Sequence, residues 1–275
     1  MTAYRYEKWD PNGNTTLFFP DDVPASEKPT AEEIARALAP GQLDAEQAGF
    51  ADNGRRYLRM AGGEFCVNAT LAFGAHLDRL ACKKTETARE YEVGVSGWSE
   101  KIQLKVDGMD PLWKVTARLT MPSDIIENIS DTCALVRLPG ISHLLCRCSS
   151  PLPQDKKEAA MALLKKYSLL EEDAAGVIWW QEEHSPAYRQ NDASLLRIWP
   201  VVRVRAVETL YEETSCGSGS MALACYKYMK DQQEQSSVLQ PGGCTLSIRI
   251  VPKENAMEAL VTGQVKFAEE GSWLS

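Results

Sequence analysis

The sequence predicts an α/β or α+β protein with two similar halves, and three observations support this prediction. Short β-like runs alternate with helical runs along most of the chain, without a low-complexity stretch or a long Pro/Ser linker. The succession of a strand, a small-residue turn, a cysteine and a helix occurs twice, with Cys66 and Cys216 at equivalent places 150 positions apart. The length of 275 residues allows one large domain or two medium ones.

Four helices are predicted from apolar spacing and from end signals. The first begins with Thr30 in the N-cap position and has Glu33 three residues later, which is the spacing of a capping box. The four predicted ranges are 30–39, 69–80, 154–169 and 219–232.

Strands are predicted where β-branched, aromatic and apolar residues form short runs between turn signals. The predicted ranges are 15–19, 57–60, 102–106, 113–119, 134–138, 143–148, 201–207, 245–251 and 259–265. A proline and a polar stretch interrupt this pattern at 121–131, so we place the boundary between the two halves there.

Each copy of the repeated motif places a cysteine at the start of a helix. YLRM leads through AGGEF to Cys66, and VVRVRAVETLYEETS leads to Cys216 and the glycines after it. Because a helix N-terminus has unpaired N–H groups and a partial positive charge, we expect a lowered thiol pKa and a binding site for a carboxylate or an enolate. Two such helix ends face to face would hold a small molecule between a thiolate and a thiol, which is the geometry for moving a proton across a stereocentre.

Most of the eight cysteines are predicted to be free thiols, because the chain shows no export signal and needs no disulfide framework. Core positions are predicted for Cys82, Cys133, Cys225 and Cys244. Cys146 and Cys148 lie on one face of a predicted strand, and packing is again the preferred interpretation because the spacing of a zinc knuckle is absent.

The composition and the missing motifs argue against several functions. The 30 Lys and Arg residues are interleaved with 38 Asp and Glu residues, so the net charge is −8 and nucleic acid is not an expected partner. No run of about 18 apolar residues occurs, so we expect a cytoplasmic protein with no membrane partner. P-loop, GxGxxG, HExxH and GxSxG motifs are absent, and the three histidines, at 76, 143 and 184, offer little for a metal site or a serine triad. His76 and His143 are predicted to pack rather than to act in catalysis.

The two cysteine motifs, MAGGEFCVNAT and ETSCGSG, resemble those of the diaminopimelate epimerase-like family of cofactor-independent amino-acid racemases and epimerases. The resemblance continues in order through KWDPNGNTT, EQAGF and PGISHLL, and it covers nearly the whole chain. Within that family, the chain is similar to the histidine racemases of the staphylopine-type metallophore pathway at EFC-NAT, SCGSG, QPGG and GQV.

This resemblance implies an α+β fold of two pseudo-symmetric lobes, each a curved, mostly antiparallel sheet around a central helix, with the active site in the cleft between them. The N-terminal lobe would comprise residues 1–125 and carry Cys66, joined by a last strand at about 263–275. The C-terminal lobe would comprise residues 126–262 and carry Cys216. Several members of the family are dimers, so a homodimer is the expected assembly.

The resemblance also implies roles for individual residues. Cys66 and Cys216 would be the two catalytic bases, and neither a cofactor nor a metal would be needed. Asn14 and Gln47 would hold the substrate, Glu46 would lie near its side chain, and Asn68 with the helix start at 217–219 would contact its α-carboxylate. The implied substrate-binding residues are Asn14, Glu46, Gln47, Val67, Asn68, Glu213, Gly217, Ser218 and Gly219.

The departures from the family pattern bear on the substrate. Val67 stands where the family usually has Gly, Glu212 and Glu213 lie where diaminopimelate enzymes carry an Arg, and Ile141 replaces their Asn. Diaminopimelate is therefore not the expected substrate. Acidic side chains accept hydrogen bonds from a cationic or imidazole-bearing side chain, and arginine does not.

The leading hypothesis is therefore a racemase that interconverts L- and D-histidine for an opine-type metallophore. One alternative is a racemase or epimerase of another amino acid, such as a proline- or hydroxyproline-like one or another basic or polar one. Proline racemase-like proteins usually carry a His after the first Cys-Gly, whereas this chain reads Cys66-Val67-Asn68. The other alternative is a non-catalytic amino-acid-binding relative, and Val67 is its main support.

Overall fold

The computed structural model describes residues 2–81, 88–148, 151–183 and 194–275. Within these ranges the chain forms sixteen strands and four α-helices, so the fold is sheet-rich and mixed. Cys82, for which a core position is predicted, and His184 lie outside the described residues.

All four predicted helices are confirmed. They are α1 (Ala31–Ala37), α2 (Val67–Ala81), α3 (Lys156–Lys166) and α4 (Gly217–Asp231). The predicted capping box is present, because the Glu33 backbone N–H donates to Thr30 Oγ1 and the Thr30 N–H donates to the Glu33 carboxylate.

The strands comprise the nine predicted ones and seven others. In chain order they are β1 (Ala3–Pro11), β2 (Thr16–Pro20), β3 (Gln47–Asp52), β4 (Tyr57–Met60), β5 (Arg89–Val95), β6 (Trp98–Met109), β7 (Leu112–Pro122), β8 (Ile126–Ser130), β9 (Cys133–Leu138), β10 (Ile141–Arg147), β11 (Ala174–Glu183), β12 (Ser194–Val204), β13 (Thr209–Glu212), β14 (Gln235–Leu239), β15 (Thr245–Lys253) and β16 (Ala256–Leu274).

One of the predicted strand ends was wrong. The run predicted at 201–207 ends at Val204, because residues 205–208 form a turn closed by a hydrogen bond from the Glu208 N–H to the Arg205 carbonyl. The polar stretch at 121–131 contains β8, which pairs with β9 and is largely exposed.

The first half of the chain forms a closed ring of strands. Strands β1 to β7 pair in chain order, β7 pairs with β16, and β16 also pairs with β1. Helix α2 packs against β1, β5, β6, β7 and β16, and twelve of its fifteen residues are buried. A Cβ on Gly74 would lie 3.0–3.3 Å from side chains of Leu104, Val106 and Val115, so glycine allows this close approach of helix and strands.

The second half repeats the order of pairings. From β1 to β7 the neighbours are antiparallel, parallel, antiparallel, parallel, antiparallel and antiparallel, and the same series runs through β9, β10, β11, β12, β14, β15 and β16. Helix α4 packs against β9, β10, β14, β15 and β16. A helix lies in the connection between the two strands of each parallel pair. Helix α1 lies between β2 and β3 and α3 between β10 and β11, whereas α2 lies between β4 and β5 and α4 between β12 and β14.

Strand β16 belongs to both sets of strands. Residues 256–262 pair with β15 on one side and β7 on the other, whereas residues 265–274 pair with β1. The largest apolar core includes Val67 and Leu71 of α2 together with Met221 and Leu223 of α4. The two buried helices are thus held within one core. None of the helices in the described part of the chain is long and apolar enough to cross a membrane.

Candidate active site

The two motif cysteines have the same local geometry. Cys66 directly precedes α2, and Cys216 is the N-cap of α4. The backbone N–H three residues later donates to the sulfur in both cases, from Ala69 to Cys66 Sγ and from Gly219 to Cys216 Sγ, each at 3.4 Å. Each sulfur therefore lies against the first turn of a buried helix, as the repeated motif predicts.

The hydroxyl residue four positions after each cysteine makes the same hydrogen bond in both copies of the motif. Thr70 Oγ1 donates to the Cys66 carbonyl at 2.7 Å, and Ser220 Oγ donates to the Cys216 carbonyl at 2.6 Å. These bonds hold the carbonyl that begins each helix, so the backbone around the two cysteines is fixed in the same way.

The two helix starts touch each other. A Cβ on Gly217 would lie 2.8 Å from both Cβ and Cγ1 of Val67, and 2.9 Å from Asn68 Oδ1. Asn68 Nδ2 donates to the Ser215 carbonyl at 2.9 Å, which links the start of α2 to the residue before Cys216. The structure thus brings together the predicted residues Val67, Asn68 and Gly217.

A chain of side-chain hydrogen bonds connects three further predicted residues to Cys66. Asn14 Nδ2 donates to Glu46 Oε2 at 2.7 Å, and Gln47 Nε2 donates to Asn14 Oδ1. The Cys66 thiol donates to Gln47 Oε1 at 3.2 Å. Asn14, Glu46 and Gln47 therefore belong to the surroundings of Cys66, although their contact with a substrate stays a prediction.

Glu46 also reaches the Cys216 side of the site. The Thr214 N–H donates to Glu46 Oε2 at 3.3 Å, and Thr214 Oγ1 donates to Glu46 Oε1. Both oxygens of this carboxylate consequently have donors from the protein itself. Burial raises the pKa of Glu46, and the Thr214 donors oppose this shift.

Glu213 lies within electrostatic reach of both sulfurs. Its charge raises the pKa of the Cys216 thiol and that of Cys66 as well. Burial raises the pKa of Glu213 to about 8, and the charges of Glu46 and Glu64 add to the shift. Its neighbour Glu212 is exposed and pairs with Lys156 Nζ at 2.7 Å, so Glu212 is not part of the site.

The predicted lowering of the thiol pKa values was wrong. Burial raises the pKa of Cys66 to about 12, which outweighs the hydrogen bond from the Ala69 N–H. Burial, followed by the charge of Glu213, raises the pKa of Cys216 well above its usual range. The loss of water around the sulfurs exceeds the effect of the helix N-termini, so both cysteines rest as thiols.

His143 supports the Cys216 side of the site. It is fully buried on β10, and its Nε2 is hydrogen-bonded to Ser218 Oγ at 2.9 Å. Ser218 Oγ lies 3.7 Å from Cys216 Sγ. Burial lowers the pKa of His143 to about 3, so its ring is neutral. His76 is buried as predicted, with Nδ1 and Nε2 hydrogen-bonded to Glu7 and Asn53.

Sequence reasoning missed Gln240, which fixes the backbone at Cys216. Its Oε1 accepts from the Cys216 N–H at 2.9 Å, and its Nε2 donates to Ser220 Oγ at 2.8 Å. The signal that could have identified it is its place in QPGG, one of the segments that carry the family resemblance.

A small acidic cavity of about 40 Å³ reaches the site at Gln47, the hydrogen-bond partner of Cys66. Glu46, Glu64 and Glu213 line it together with Gln47 and Tyr211, and apolar side chains form much of the remaining wall. Glu64 was also missed, although it stands two residues before Cys66 in the cysteine motif. A water molecule occupies about 30 Å³ in the liquid, so the cavity is too small for an amino acid in this conformation.

The seven cysteines within the described residues are free thiols, as predicted. Cys225 is buried in the core, which confirms its predicted role, whereas Cys133 and Cys244 are only half-buried. Cys133 and Cys146 face each other across β9 and β10, with their sulfurs 3.6 Å apart. Among the described residues, no group of three or more His, Cys, Asp or Glu side chains is arranged to hold a metal ion.

The fold is similar to those of several solved structures. A hydroxyproline epimerase from Agrobacterium vitis, solved with trans-4-hydroxy-L-proline, aligns with a TM-score of 0.62 at 10% identity, covering 98% of this chain and 92% of that one. A probable proline racemase from Agrobacterium radiobacter gives 0.63 at 11% identity, with the same coverage. A phenazine biosynthesis protein of the PhzF family from Bacillus anthracis gives 0.63 at 11% identity over the full length of both chains.

Sequence comparison gives the family. Residues 3–273 match the family model described as the histidine racemase CntK N-terminal domain. A histidine racemase of Fusobacterium nucleatum is 30% identical over 269 residues, which cover 96% of this chain and 94% of that protein. A histidine racemase of Staphylococcus aureus is 24% identical over 277 residues, covering 97% and 96%. The chain therefore belongs to this histidine racemase family, and it is an isomerase of the amino-acid racemase class.

Proposed function

We propose that this protein racemises histidine by proton transfer between two cysteines, without pyridoxal phosphate or another cofactor. The matched placement of Cys66 and Cys216 at two touching helix starts carries this proposal. The substrate histidine is supported by the names of the relatives and by the acidic cavity that Gln47, the hydrogen-bond partner of Cys66, helps to line.

In the proposed mechanism, one cysteine removes the α-proton as a thiolate while the other delivers a proton to the opposite face as a thiol. The two roles exchange in the reverse direction. The N–H groups of Gly217 and Ser218 have no carbonyl acceptor one turn earlier within α4, so they are available for the α-carboxylate and for the charge that develops on it. Asn68 contributes to the same end of the substrate.

The raised thiol pKa values require that substrate binding itself promotes the thiolate. The α-ammonium group of a bound amino acid places a positive charge beside the sulfurs, which favours ionisation of a thiol. Exclusion of water then makes the thiolate a stronger base towards the weakly acidic Cα–H. The thiolate is thus formed only where it is used.

We further propose that the repeated series of pairings corresponds to two pseudo-symmetric lobes, with α2 and α4 as their central helices. Residues 1–125, joined by 263–275, would form one lobe, and residues 126–262 the other. The closing of β1 on β16 supports the assignment of the last strand to the first lobe. The size of the cavity supports a cleft that opens to admit the substrate and closes over it.

The metallophore role, the cytoplasmic location and the homodimer are also proposals. D-histidine would be the building block that an opine-type metallophore requires. Neighbouring genes for a nicotianamine synthase-like and an opine dehydrogenase-like protein would support that role, and light scattering on the purified protein tests the homodimer.

Deuterium exchange tests the activity directly. The purified protein is incubated with L-histidine in D2O, and loss of the Hα signal is followed by proton NMR while chiral chromatography measures D-histidine. We expect both to occur without added cofactor. A panel that includes proline, hydroxyproline, lysine and diaminopimelate identifies the substrate, and binding of histidine without any exchange would indicate a non-catalytic relative instead.

A further inference from the structure

Glu64 is a buried carboxyl with an unused acceptor. It lies in the turn between β4 and Cys66, and only 8% of the residue is exposed. Among the described residues, no group donates a hydrogen bond to its Oε2. A Cβ on Gly62 would lie 2.7 Å from that oxygen, so the glycine leaves the space that the carboxyl occupies. A buried carboxyl oxygen without a donor is costly, and its retention calls for a partner.

The surroundings of Glu64 supply no cation. It lines the acidic cavity with Glu46 and Glu213, and no lysine, arginine or histidine is among the residues that line this cavity. Val202, Val204 and other aliphatic side chains form the apolar part of the wall. Such a cavity suits a ligand group that has flat apolar faces and N–H donors at its edge.

The three glutamates are not equally available to a ligand. Both oxygens of Glu46 already accept hydrogen bonds from Asn14 or Thr214. Glu213 is close enough to Cys216 for each group to shift the pKa of the other. Glu64 Oε2 is thus the acceptor in this cluster for which the described protein offers no donor.

We propose that Glu64 determines specificity by accepting a hydrogen bond at Oε2 from a ring N–H of the substrate's side chain. This inference rests on the proposed function and refines it, since it makes Glu46 a positioning residue and Glu64 the residue that recognises the ring. The ligand class is an amino acid with an N–H-bearing heteroaromatic side chain. A side chain without an N–H donor would leave the oxygen unpartnered.

The protonation of Glu64 agrees with this role. Burial raises its pKa to about 7, although the nearby backbone N–H groups of Glu64 and Gly62 act in the opposite direction. The free enzyme consequently avoids a full unpaired charge at this position. A ring N–H donor would favour the ionised form of Glu64 and supply the missing hydrogen bond to its Oε2.

The test compares L-histidine with its two ring N-methyl derivatives, each of which lacks one N–H position. Binding is measured by calorimetry for the wild type, Glu64→Met, Glu64→Gln and the exposed control Glu127→Gln. The wild type should bind at least one methyl derivative about tenfold or more weakly than histidine, because hydrogen bonds to charged groups have this magnitude. Glu64→Met should bind histidine about tenfold more weakly and lose the discrimination.

Glu64→Gln keeps one acceptor oxygen of the same shape, so it should recover part of the discrimination that Glu64→Met loses. The thermal midpoint of Glu64→Met should equal or exceed that of the wild type, because the substitution removes a buried acceptor without a partner. A purely structural role of Glu64 predicts a lower midpoint instead. The control Glu127→Gln should behave as the wild type in every measurement.

Discrimination by Glu64→Met as strong as that of the wild type would overturn the inference. Wild-type binding with discrimination but no deuterium exchange would remove the proposed activity and leave the role of Glu64 intact. If the wild type does not bind L-histidine, both the substrate and the role of Glu64 are wrong.

Discussion

Val67 occupies the space that a side chain on Gly217 would need. The two Cβ positions would lie 2.8 Å apart, which is closer than side-chain carbons approach. The resemblance to the family puts a glycine at the position of Val67, so the added bulk on α2 is accommodated by the missing side chain on α4. The contact between the two helix starts therefore depends on this pair of residues.

Gly217→Ala should separate the helix starts and lower both stability and activity. Overpacking of this kind costs about 1–3 kcal/mol in the free energy of unfolding, to be measured by urea denaturation. Val67→Gly in the same chain restores the space, so the double variant should recover most of the loss in stability and in kcat/KM. An additive effect of the two substitutions would contradict the proposed contact.

Cys66→Ser and Cys216→Ser should each reduce racemisation by about a hundredfold or more, because a hydroxyl is a much weaker acid than a thiol. Each variant should exchange the α-proton of one histidine enantiomer faster than that of the other, which assigns a cysteine to each face. Cys148→Ser is the matched control and should retain wild-type turnover. Near-normal activity of either motif variant would exclude the two-base mechanism.

The stability of the protein should decrease as the pH rises from about 5 to about 9. The pKa of Glu213 is about 8 in the folded protein, whereas the ordinary value for a glutamate is 4.5. The contribution of Glu213 to the free energy of unfolding is therefore complete below the ordinary value and is lost as the pH rises above the folded value. Glu213→Gln should reduce the slope by up to about 1 kcal/mol per pH unit. The pKa of Glu64 is also raised, so part of the decrease in stability with pH should persist in Glu213→Gln.

Chemical denaturation at a series of pH values measures this effect. Glu212→Gln is the control, because Glu212 is the exposed neighbour of Glu213. Equal slopes in Glu213→Gln and in the wild type would mean that Glu213 is ionised in the folded protein.

Mild oxidation should link Cys133 to Cys146. Their sulfurs are 3.6 Å apart on directly opposed residues, and the strand geometry already holds the backbones at a distance that suits a disulfide. The hydrogen bond from Cys146 lowers the pKa of Cys133, and the cation of Lys166 adds to this, so Cys133 is the reactive thiol. Alkylation and peptide mapping after diamide treatment, with and without dithiothreitol, measure the linkage; an unlinked, alkylated pair would contradict it.

The parts of the fold that follow from local chemistry could be predicted from the sequence. Thr30 and Glu33 satisfy each other's backbone, and β4 alternates buried and partly exposed residues. Strand β8 could not be found in this way, because it lies at the end of the sheet and buries no residue. Strand β3 has four consecutive buried residues and contains Gly49, so it shows no alternation.

The position of the two cysteines at helix starts could also be predicted from the local sequence, but their protonation could not. The turn residues and helix starts at Cys66 and Cys216 can be recognised along the chain. Burial of the sulfurs depends on how two distant helices meet, and this reversed the predicted direction of the pKa shifts. The bonds of Gln240 and the free acceptor of Glu64 arise in the same way from tertiary contacts.

The dual pairing of β16 has a consequence for synthesis on the ribosome. A nascent chain that has emerged as far as residue 255 contains every residue of β1 to β7 and of α2, yet it lacks the strand that closes their ring. The edges of β1 and β7 then stay open while 126–255 are translated, and open edges are sites of intermolecular pairing. The half of the protein that is made first is thus completed last, which makes the N-terminal strands the segment most in need of protection during translation.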